Sequence, residues 1–406
     1  MDDDESGRAR KKVLFVAEAV TLAHMARPMV LAGSLNHERY DITLAADVRY
    51  DFLFPEIRVR RLPLDSISSS QFMQALAKGA PVYDDKTLKS YVDEDLRLIE
   101  QVRPDLIVGD FRLSLSVSAR LMKVPYATVT NAYWSPYAEQ AYPVPELPVV
   151  KLLGVGLGQR MFNLVRPLAF RLHARPLNNV RRYFGLPSLG ADLRRVYTDA
   201  DQTLYADIPG LVSTAPMPAT HRFLGPVIWS PDCGLPAWWG DLDATRPIVY
   251  VTPGSSGNCA ILPTIIEALA TLPVQVIVAA TRGIEQSILP PNVHVADYLP
   301  GANAAAIASL VICNGGSPTA YQALTNGCPV IGIPSNLDQY LNMTSLEKHG
   351  LGLLLRSDRL SVGQLQAAVH QVLGDRTYSQ NVGRMQAVFS EWQADRVFPA
   401  IVAEWM

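Results

Sequence analysis

The sequence has few cysteines, and their spacing matches no common zinc motif. The four are Cys233, Cys259, Cys313 and Cys328, and no two of them form a CxxC pair. The histidines lack the spacing of metal ligands as well. Scattered cysteines of this kind favour free thiols in a reducing compartment, so we predict a cytoplasmic protein that binds no metal and has no disulfides.

Long apolar runs and an excess of one charge are also missing. No apolar stretch reaches the roughly 18 residues of a membrane-spanning helix, and residues 2–12 (DDDESGRARKK) form a charged tail in place of a signal peptide. The 36 basic and 38 acidic side chains leave a net charge of −2, which argues against nucleic-acid binding. With 406 residues, 49% of them hydrophobic, the chain is long enough for two domains with ordinary cores.

One stretch, residues 309–342, predicts an anion-binding site. A buried strand over Leu310–Cys313 leads into a turn at Gly315 and Gly316, and Ser317 and Pro318 have the preferences of a helix start, with Ser317 as the N-cap. Free N–H groups and the positive end of a helix then point at one spot. We therefore expect a phosphate or diphosphate to bind there.

The order of predicted elements indicates an α/β protein with two doubly wound, Rossmann-like domains. Short apolar strands alternate with helical patterns from residue 13 to about 131 and again after residue 247, as in parallel sheets covered by helices. Prolines and turn residues are concentrated between the two series. The predicted units are an N-terminal domain (1–215), a linker (216–245), a C-terminal domain (246–385) and a C-terminal helical segment (386–406). We expect the two domains to face each other across a cleft.

A less regular segment, 133–190, interrupts the first series. Within it, residues 151–172 are apolar but carry arginines at positions 160, 166 and 171. A helix that covers an apolar cleft fits this pattern. A helix that contacts an apolar acceptor or a membrane surface fits it as well, and the sequence leaves the choice open.

Residues 314–339, NGGSPTAYQALTNGCPVIGIPSNLDQ, resemble the donor-binding signature HGGxGTxxEALxxGxPxxxxPxxxDQ. This signature belongs to GT-B nucleotide-sugar glycosyltransferases of the UDP-glycosyltransferase superfamily, and the chain is most similar to the bacterial type that modifies antibiotics and other natural products. Further matches are DYLPG at the family's WxPQ, VTPGSSG at its glycine–serine loop, AHMAR at its THxxP or GHxxP, and VGDF at its acidic strand end. The resemblance covers most of the chain with the order of motifs intact.

The resemblance implies that His24 is a general base and that Asp110 orients it. Histidine is the residue type that exchanges protons nearest neutral pH, and a carboxylate behind it fixes the tautomer and stabilises the imidazolium. The reaction would be a metal-independent, inverting transfer of a sugar from a UDP- or dTDP-linked donor. The acceptor would be a hydroxyl or similar nucleophile of a small, partly apolar molecule.

For the donor diphosphate, the resemblance implies a cradle of backbone N–H groups and hydroxyls. Gly315, Gly316 and Ser317 would bind it directly, while Ser255 and Ser256 would approach it from the first loop of the C-terminal half. Such neutral donors can stabilise a leaving diphosphate without a metal.

The same resemblance assigns residues to the base and sugars of the donor. Tyr298 would stack on the base, the Leu299 backbone would bind its edge, and Gln322 would contact the ribose. Asp338 and Gln339 would bind hydroxyls of the transferred sugar.

The chain departs from the family pattern at three positions. The signature histidine is Asn314, the ribose-binding glutamate is Gln322, and the glutamine of WxPQ is Gly301. An amide can still donate to a phosphate oxygen, but the contact is no longer charge-assisted. Two alternatives to a transferase therefore stay open: a nucleotide-sugar epimerase of the same fold, and a catalytically weakened relative that only binds nucleotide. No cofactor is expected besides the co-substrate, and the oligomeric state is left open.

Overall fold

The computed structural model describes residues 10–54, 59–280 and 289–406. Most of the predicted N-terminal tail, residues 2–9, lies outside them. In the described part of the chain, two parallel sheets account for the strands, one in each half of the sequence. This is the predicted architecture.

The first sheet has seven parallel strands in the order β3-β2-β1-β4-β5-β6-β7. Side chains of β1 enter the cores on both faces, with Val13 and Phe15 on one side and Leu14 and Val16 on the other. Burial on both faces explains why residues 13–17 of β1 form a continuous apolar run. The strands are β1 (Lys11–Ala17), β2 (Tyr40–Ala46), β3 (Arg60–Pro63), β4 (Leu106–Asp110), β5 (Tyr126–Thr130), β6 (Gln202–Tyr205) and β7 (His221–Phe223).

Helices connect these strands and cover the sheet. They are α1 (Leu22–Ser34), α2 (Ser69–Lys78), α3 (Asp85–Val102), α4 (Leu115–Met122), α5 (Pro148–Tyr183) and α6 (Leu193–Tyr197). The irregular segment of the sequence contains α5, whose helical conformation is interrupted at Gly154 (φ 74°).

The second sheet has six parallel strands in the order β10-β9-β8-β11-β12-β13. Its strands are β8 (Ile248–Thr252), β9 (Gln275–Ala279), β10 (Val293–Ala296), β11 (Leu310–Cys313), β12 (Val330–Gly332) and β13 (Gly352–Leu354). The helices of this half are α7 (Leu262–Ala270), α8 (Gly301–Ile307), α9 (Ser317–Thr325), α10 (Leu337–Lys348), α11 (Val362–Gly374), α12 (Arg376–Glu391) and α13 (Ala394–Trp405).

Strand order reverses once in each sheet, between β1 and β4 and between β8 and β11. Ligands of open α/β sheets bind beyond the carboxyl ends of strands at such switch points. The two switch points face one cleft, and this arrangement brings the candidate site together.

Two features of the fold cross the predicted domain limits. Strand β7 lies inside the predicted linker (216–245) but extends the first sheet, because residues 221–223 pair in parallel with β6. Helix α13 packs on the N-terminal half, where Phe398 contacts Phe15 with ring centroids 5.9 Å apart. The exact limits of the domains stay a prediction.

None of the helices in the described ranges combines the length and the apolar character that crossing a bilayer requires.

Candidate active site

A cavity of about 780 Å³ lies between the two sheets. Twelve of the thirteen site residues predicted from the sequence line it, and Gly315 is the exception. They come from both halves: His24 and Asp110 from the first, and the predicted donor residues from the second. Residues more than 300 positions apart in the sequence, His24 and Gln339, therefore meet at one cavity.

His24 and Asp110 form a hydrogen-bonded pair on the N-terminal wall. His24 lies in the first turn of α1, and Asp110 is the last residue of β4, the strand beside β1. Their Nδ1 and Oδ1 atoms are 2.7 Å apart, and Asp110 is fully buried. The two candidate catalytic residues are thus in direct contact.

Arg27, which the sequence analysis did not single out, completes this group. Its guanidinium holds Asp110 with two hydrogen bonds, from Nε to Oδ2 (2.7 Å) and from Nη2 to Oδ1 (2.8 Å). Burial alone would raise the pKa of Asp110, but the charge of Arg27 and the contact with His24 outweigh it and lower the pKa of this carboxyl below its ordinary value. Asp110 is therefore ionised at neutral pH.

The ionised Asp110 also decides the tautomer of His24. Nη2 of Arg27 lies 3.0 Å from Nδ1 of His24, so in principle that nitrogen could accept from the guanidinium. An unprotonated Nδ1 would then face a carboxylate oxygen at 2.7 Å, two acceptors in contact. In a neutral imidazole the proton would accordingly lie on Nδ1, which leaves the lone pair on Nε2.

Asn131 links this group to the donor side of the cavity. Its side-chain oxygen accepts from Nη1 of Arg27 (2.8 Å) and from the hydroxyl of Ser317 (3.4 Å). Its amide donates to Asp207, which also accepts from the Tyr321 hydroxyl of the C-terminal half. Burial raises the pKa of Asp207, whose partners here are neutral donors. A continuous series of hydrogen bonds therefore connects Arg27 of the N-terminal half with Ser317 and Tyr321 of the C-terminal half.

The predicted donor helix, α9, begins one residue earlier than expected. Its N-cap is Gly316, so Ser317 is the first helical residue and not the cap. The backbone turns at Gly315, where φ is 79° and a Cβ atom would lie 2.5 Å from Met343 Cγ. Both conditions restrict this position to glycine.

Asn314 shapes the loop before that helix. Its Oδ1 accepts from the Gly316 N–H (3.0 Å), and its Nδ2 donates to the Ser256 hydroxyl (3.2 Å). The Gly315 N–H in turn points at Cys313 Sγ, 3.3 Å away. The two glycine N–H groups predicted to bind diphosphate thus have acceptors within the loop. The remaining donors at the helix start are the N–H groups of Ser317 and Thr319, which have no acceptor within the helix, whereas Pro318 between them has no N–H.

Asp338 and Gln339 lie in the first turn of α10 and point to different partners. Asp338 accepts across the cleft from Trp134 Nε1 (2.7 Å) and from the Tyr133 hydroxyl (3.3 Å). Gln339 accepts from the Ser335 N–H (3.0 Å) and stays within its own half. The predicted sugar-binding carboxylate therefore already contacts the N-terminal wall.

Two of the departures from the family pattern are neighbours in space. A Cβ atom on Gly301 would lie 2.4 Å from Oε1 of Gln322, so any larger residue at 301 requires Gln322 to move. Gln322 donates to the carbonyl of Trp229 (3.3 Å). The glycine at one position thus provides room for the glutamine at the other.

The remaining predicted donor residues also line the cavity. Tyr298 meets Phe52 of the N-terminal half edge to face, with ring centroids 6.3 Å apart, and the next residue, Leu299, is buried. The Ser255 hydroxyl accepts from the N–H of Leu22 at the start of α1 (3.2 Å). Ser255 therefore contacts the helix that carries His24.

Aromatic side chains surround His24 on the other side. Phe111 stacks on its imidazole, with centroids 4.7 Å apart and planes 14° from parallel. Phe111 has a positive φ of 58°, uncommon for a bulky residue, and its ring also packs against Phe72 and Tyr197. This part of the cavity suits an apolar ligand. The aromatic residues are scattered in the sequence, and no local pattern indicates that they meet.

Known proteins resemble the chain along nearly its whole length. A family model described as "Erythromycin biosynthesis protein CIII-like, C-terminal domain" matches residues 263–403. A PGL/p-HBAD biosynthesis glycosyltransferase of Mycobacterium tuberculosis is 48% identical over 94% of this chain and 89% of its own length. The chain belongs to this glycosyltransferase family. The family predicted from the donor signature is confirmed.

Two further relatives differ in their reported activity. A PGL/p-HBAD biosynthesis rhamnosyltransferase of Mycobacterium bovis is 48% identical over 96% of this chain and 86% of its own length. A protein of the same species, described as an inactive PGL/p-HBAD biosynthesis glycosyltransferase, is 46% identical over 64% of this chain and 71% of its own length.

Solved structures establish the fold class. The spinosyn rhamnosyltransferase SpnG, complexed with thymidine diphosphate, has a TM-score of 0.70 to this chain. The two share 18% sequence identity, and the match covers 97% of this chain and 99% of SpnG. This glycosyltransferase therefore has the GT-B fold, as predicted.

Proposed function

We propose that this glycosyltransferase moves a sugar, with rhamnose as the first candidate, from a dTDP-linked donor to a hydroxyl of a partly apolar natural product, with inversion at the anomeric carbon. One observation carries the proposal. The His24–Asp110 pair and the start of helix α9 line opposite walls of the same cavity. The nucleotide and sugar follow from the thymidine diphosphate bound to SpnG and from the name of the Mycobacterium bovis relative.

His24 would take the proton of the acceptor hydroxyl on its Nε2 atom. As the oxygen attacks the anomeric carbon, the imidazole becomes positive, and the ionised Asp110 at 2.7 Å stabilises that charge. Arg27 keeps the carboxyl ionised and fixed in place. In this scheme the bond from the anomeric carbon to the acceptor forms on one face of the sugar while the bond to the diphosphate breaks on the other.

The electron pair of the breaking bond would go to the diphosphate. The N–H groups of Ser317 and Thr319 in the first turn of α9, the Ser317 hydroxyl and the Asn314 amide would donate to that charge. Helix starts favour negative charge because their N–H groups lack carbonyl acceptors. Asp338 and Gln339 would hold hydroxyls of the transferred sugar, and Tyr298 would stack on the base.

The acceptor would lie against the aromatic side of the cavity. Phe111, Trp134 and Tyr197 surround the space beside His24 and leave few polar groups for an acceptor to satisfy. A ring-containing or long-chain alcohol fits this surface better than a sugar.

A relative that binds nucleotide without turnover is the second candidate, favoured by a specific observation. Asn314 stands in place of the signature histidine, and both polar atoms of its side chain already have partners, Oδ1 in its own loop at Gly316 and Nδ2 in the loop after β8 at Ser256. The similarity to a relative described as inactive points the same way.

One experiment separates the candidates. The purified protein is incubated with dTDP-rhamnose and a panel of aromatic and aliphatic alcohols, and dTDP release and acceptor mass are followed. Transfer with inverted configuration, determined by NMR of the product, supports the proposal. Binding of dTDP without transfer supports the nucleotide-binding relative, and isomerised donor in the absence of acceptor indicates an epimerase.

A further inference from the structure

The outer face of helix α5 carries an apolar stripe exposed to solvent. At the α-helical advance of about 100° per residue, its six positions fall within an arc of about 100°. Leu164 and Leu168 at its centre are 82% and 57% exposed. Surface leucines normally occur singly, and a contiguous stripe of them marks an interaction surface. The stripe consists of Leu157, Met161, Leu164, Val165, Leu168 and Leu172.

The charge of α5 is opposite to that of the remaining chain. The helix contains seven basic residues and no acidic one, so the rest of the protein carries −2 − 7 = −9. Arg160 and Arg171 follow one edge of the stripe by helical geometry, and Arg175 lies at its C-terminal end. All three are exposed, and none has an ion pair within the described ranges. The stripe therefore has a cationic border.

The opposite face of the same helix belongs to the active site. Phe162, Phe170 and His173 point into the cavity, about half a turn away from the stripe. Helix α5 thus separates the aromatic side of the cavity from solvent. Whatever docks on the stripe lies next to the space that the acceptor would occupy.

We propose that this face of α5 docks on an anionic lipid bilayer. An apolar stripe bordered by arginines is the pattern of helices that lie in the membrane interface, with the apolar side chains among the acyl chains and the cations at anionic headgroups. A second copy of the chain fits less well, because a symmetric contact would bring six exposed arginines together. An acceptor dissolved in the bilayer could then enter the cavity directly, a consequence that rests on the proposed transferase activity.

Vesicle flotation tests the docking without any assay of transfer. The full chain is mixed with vesicles of phosphatidylcholine alone or containing about one third phosphatidylglycerol. We expect binding to the anionic vesicles and at least tenfold weaker binding for Leu164→Ser/Leu168→Ser, because each leucine contributes through its buried apolar area. Arg160→Gln/Arg171→Gln should weaken binding about fivefold per arginine at low salt and have little effect at high salt. The control, Leu235→Ser, removes a leucine that is 51% exposed outside α5 and should bind as the wild type does.

Three outcomes would overturn the docking. They are failure of the wild type to bind anionic vesicles, equal binding by Leu164→Ser/Leu168→Ser, and a dimer in light scattering that this double variant dissociates. The last would assign the stripe to a second copy of the chain. Transfer is assayed separately, with a water-soluble alcohol and with a long-chain alcohol in the vesicles. The double variant should lose only the second reaction, whereas absence of both reactions in the wild type would refute the proposed function and leave the vesicle result intact.

Discussion

The two walls of the cavity are built from different kinds of groups. On the N-terminal wall, the side chain of His24, 18% exposed, contacts the buried ion pair of Arg27 and Asp110. On the C-terminal wall, the groups around the start of α9 are backbone N–H groups, hydroxyls and amides, represented by Asn314 and Ser317. We call the wall with this ion pair the charged wall and the groups at the start of α9 the neutral wall. The carboxylate of Asp338, in the same half of the chain, lies in α10 and is not part of the neutral wall.

This difference matches what each half of a sugar transfer requires. Removal of a proton needs a base whose own charge changes when it takes up the proton. Fixed charges around that base keep it oriented and stabilise its protonated form. The diphosphate, in contrast, gains charge during the reaction and must leave afterwards. Neutral donors can stabilise it without the strong attraction of a buried cation. Under the proposed mechanism, the chain has charges where the proton would move and dipoles where the leaving group would depart.

The largest expected effect comes from removing the titratable group of the charged wall. In His24→Ala, turnover should fall about a thousandfold, because general-base catalysis contributes about 10²–10⁴ in rate. The affinity for dTDP, measured by calorimetry, should stay within a factor of two, since the neutral wall is unchanged. His173→Ala, which alters another histidine that lines the cavity and whose Nδ1 hydrogen-bonds the Ala169 carbonyl of its own helix, is the control for kcat. Turnover of His24→Ala within tenfold of the wild type would place the base elsewhere.

The next effect concerns the ion pair of Arg27 and Asp110 that supports the proposed base. Arg27→Met leaves the buried carboxylate of Asp110 without its cation and should lower the free energy of unfolding by about 3 kcal/mol. The wild-type carboxyl has a lowered pKa, so its contribution to the free energy of unfolding is present at neutral pH. This contribution is lost as the pH falls through the lowered pKa. The unpaired carboxyl of the variant becomes neutral at a higher pH, and the stability difference should shrink as the pH approaches about 4.

Urea unfolding at several pH values measures this difference. Arg222→Met breaks a surface pair with Glu404 and provides the matched control, which should change stability little at any pH. A pH-independent loss in Arg27→Met would mean that the arginine acts through packing and not through its charge.

The neutral wall is tested by giving it a charge. Asn314→Asp keeps the size of the side chain and the acceptor for the Gly316 N–H, but it places a negative charge beside the diphosphate. We expect the Kd for dTDP to rise about thirtyfold, or about 2 kcal/mol, and the loss to decrease with salt. Asn314→Ala removes the same hydrogen bonds without adding charge. If the two variants bind dTDP equally well, Asn314 only shapes the loop.

The elements of both walls were predictable because their signals are local. The apolar run that forms β4 ends at Asp110, and the turn before α9 is indicated by the glycine at position 315. Strand ends and turns could therefore be located from residues adjacent in the sequence. The contact between His24 and Asp110 followed from the family resemblance, since 86 residues separate them. The one-residue error at Ser317 is of the size expected at helix ends.

What could not be predicted depends on contacts between distant residues. Arg27 stands where the resemblance places a proline, and only its position three residues after His24, on the same side of α1, hinted at a shared partner. The bond from Trp134 to Asp338 joins residues 204 positions apart on different walls. No sequence motif that contains one of these two residues indicates a contact with the other.

That bond gives the smallest predicted effect and the most direct test of how the walls cooperate. In Trp134→Phe the aromatic surface beside Phe170 and Tyr197 is kept, while the N–H that holds Asp338 is lost. If Trp134 orients the carboxylate for the sugar, affinity for dTDP-rhamnose should fall about fivefold, the equivalent of about 1 kcal/mol for one hydrogen bond. Affinity for dTDP, which lacks the sugar, should not change. An increase in dTDP-rhamnose affinity would have the opposite meaning: the sugar competes with Trp134 for Asp338, and the contact closes the empty cleft until the donor arrives.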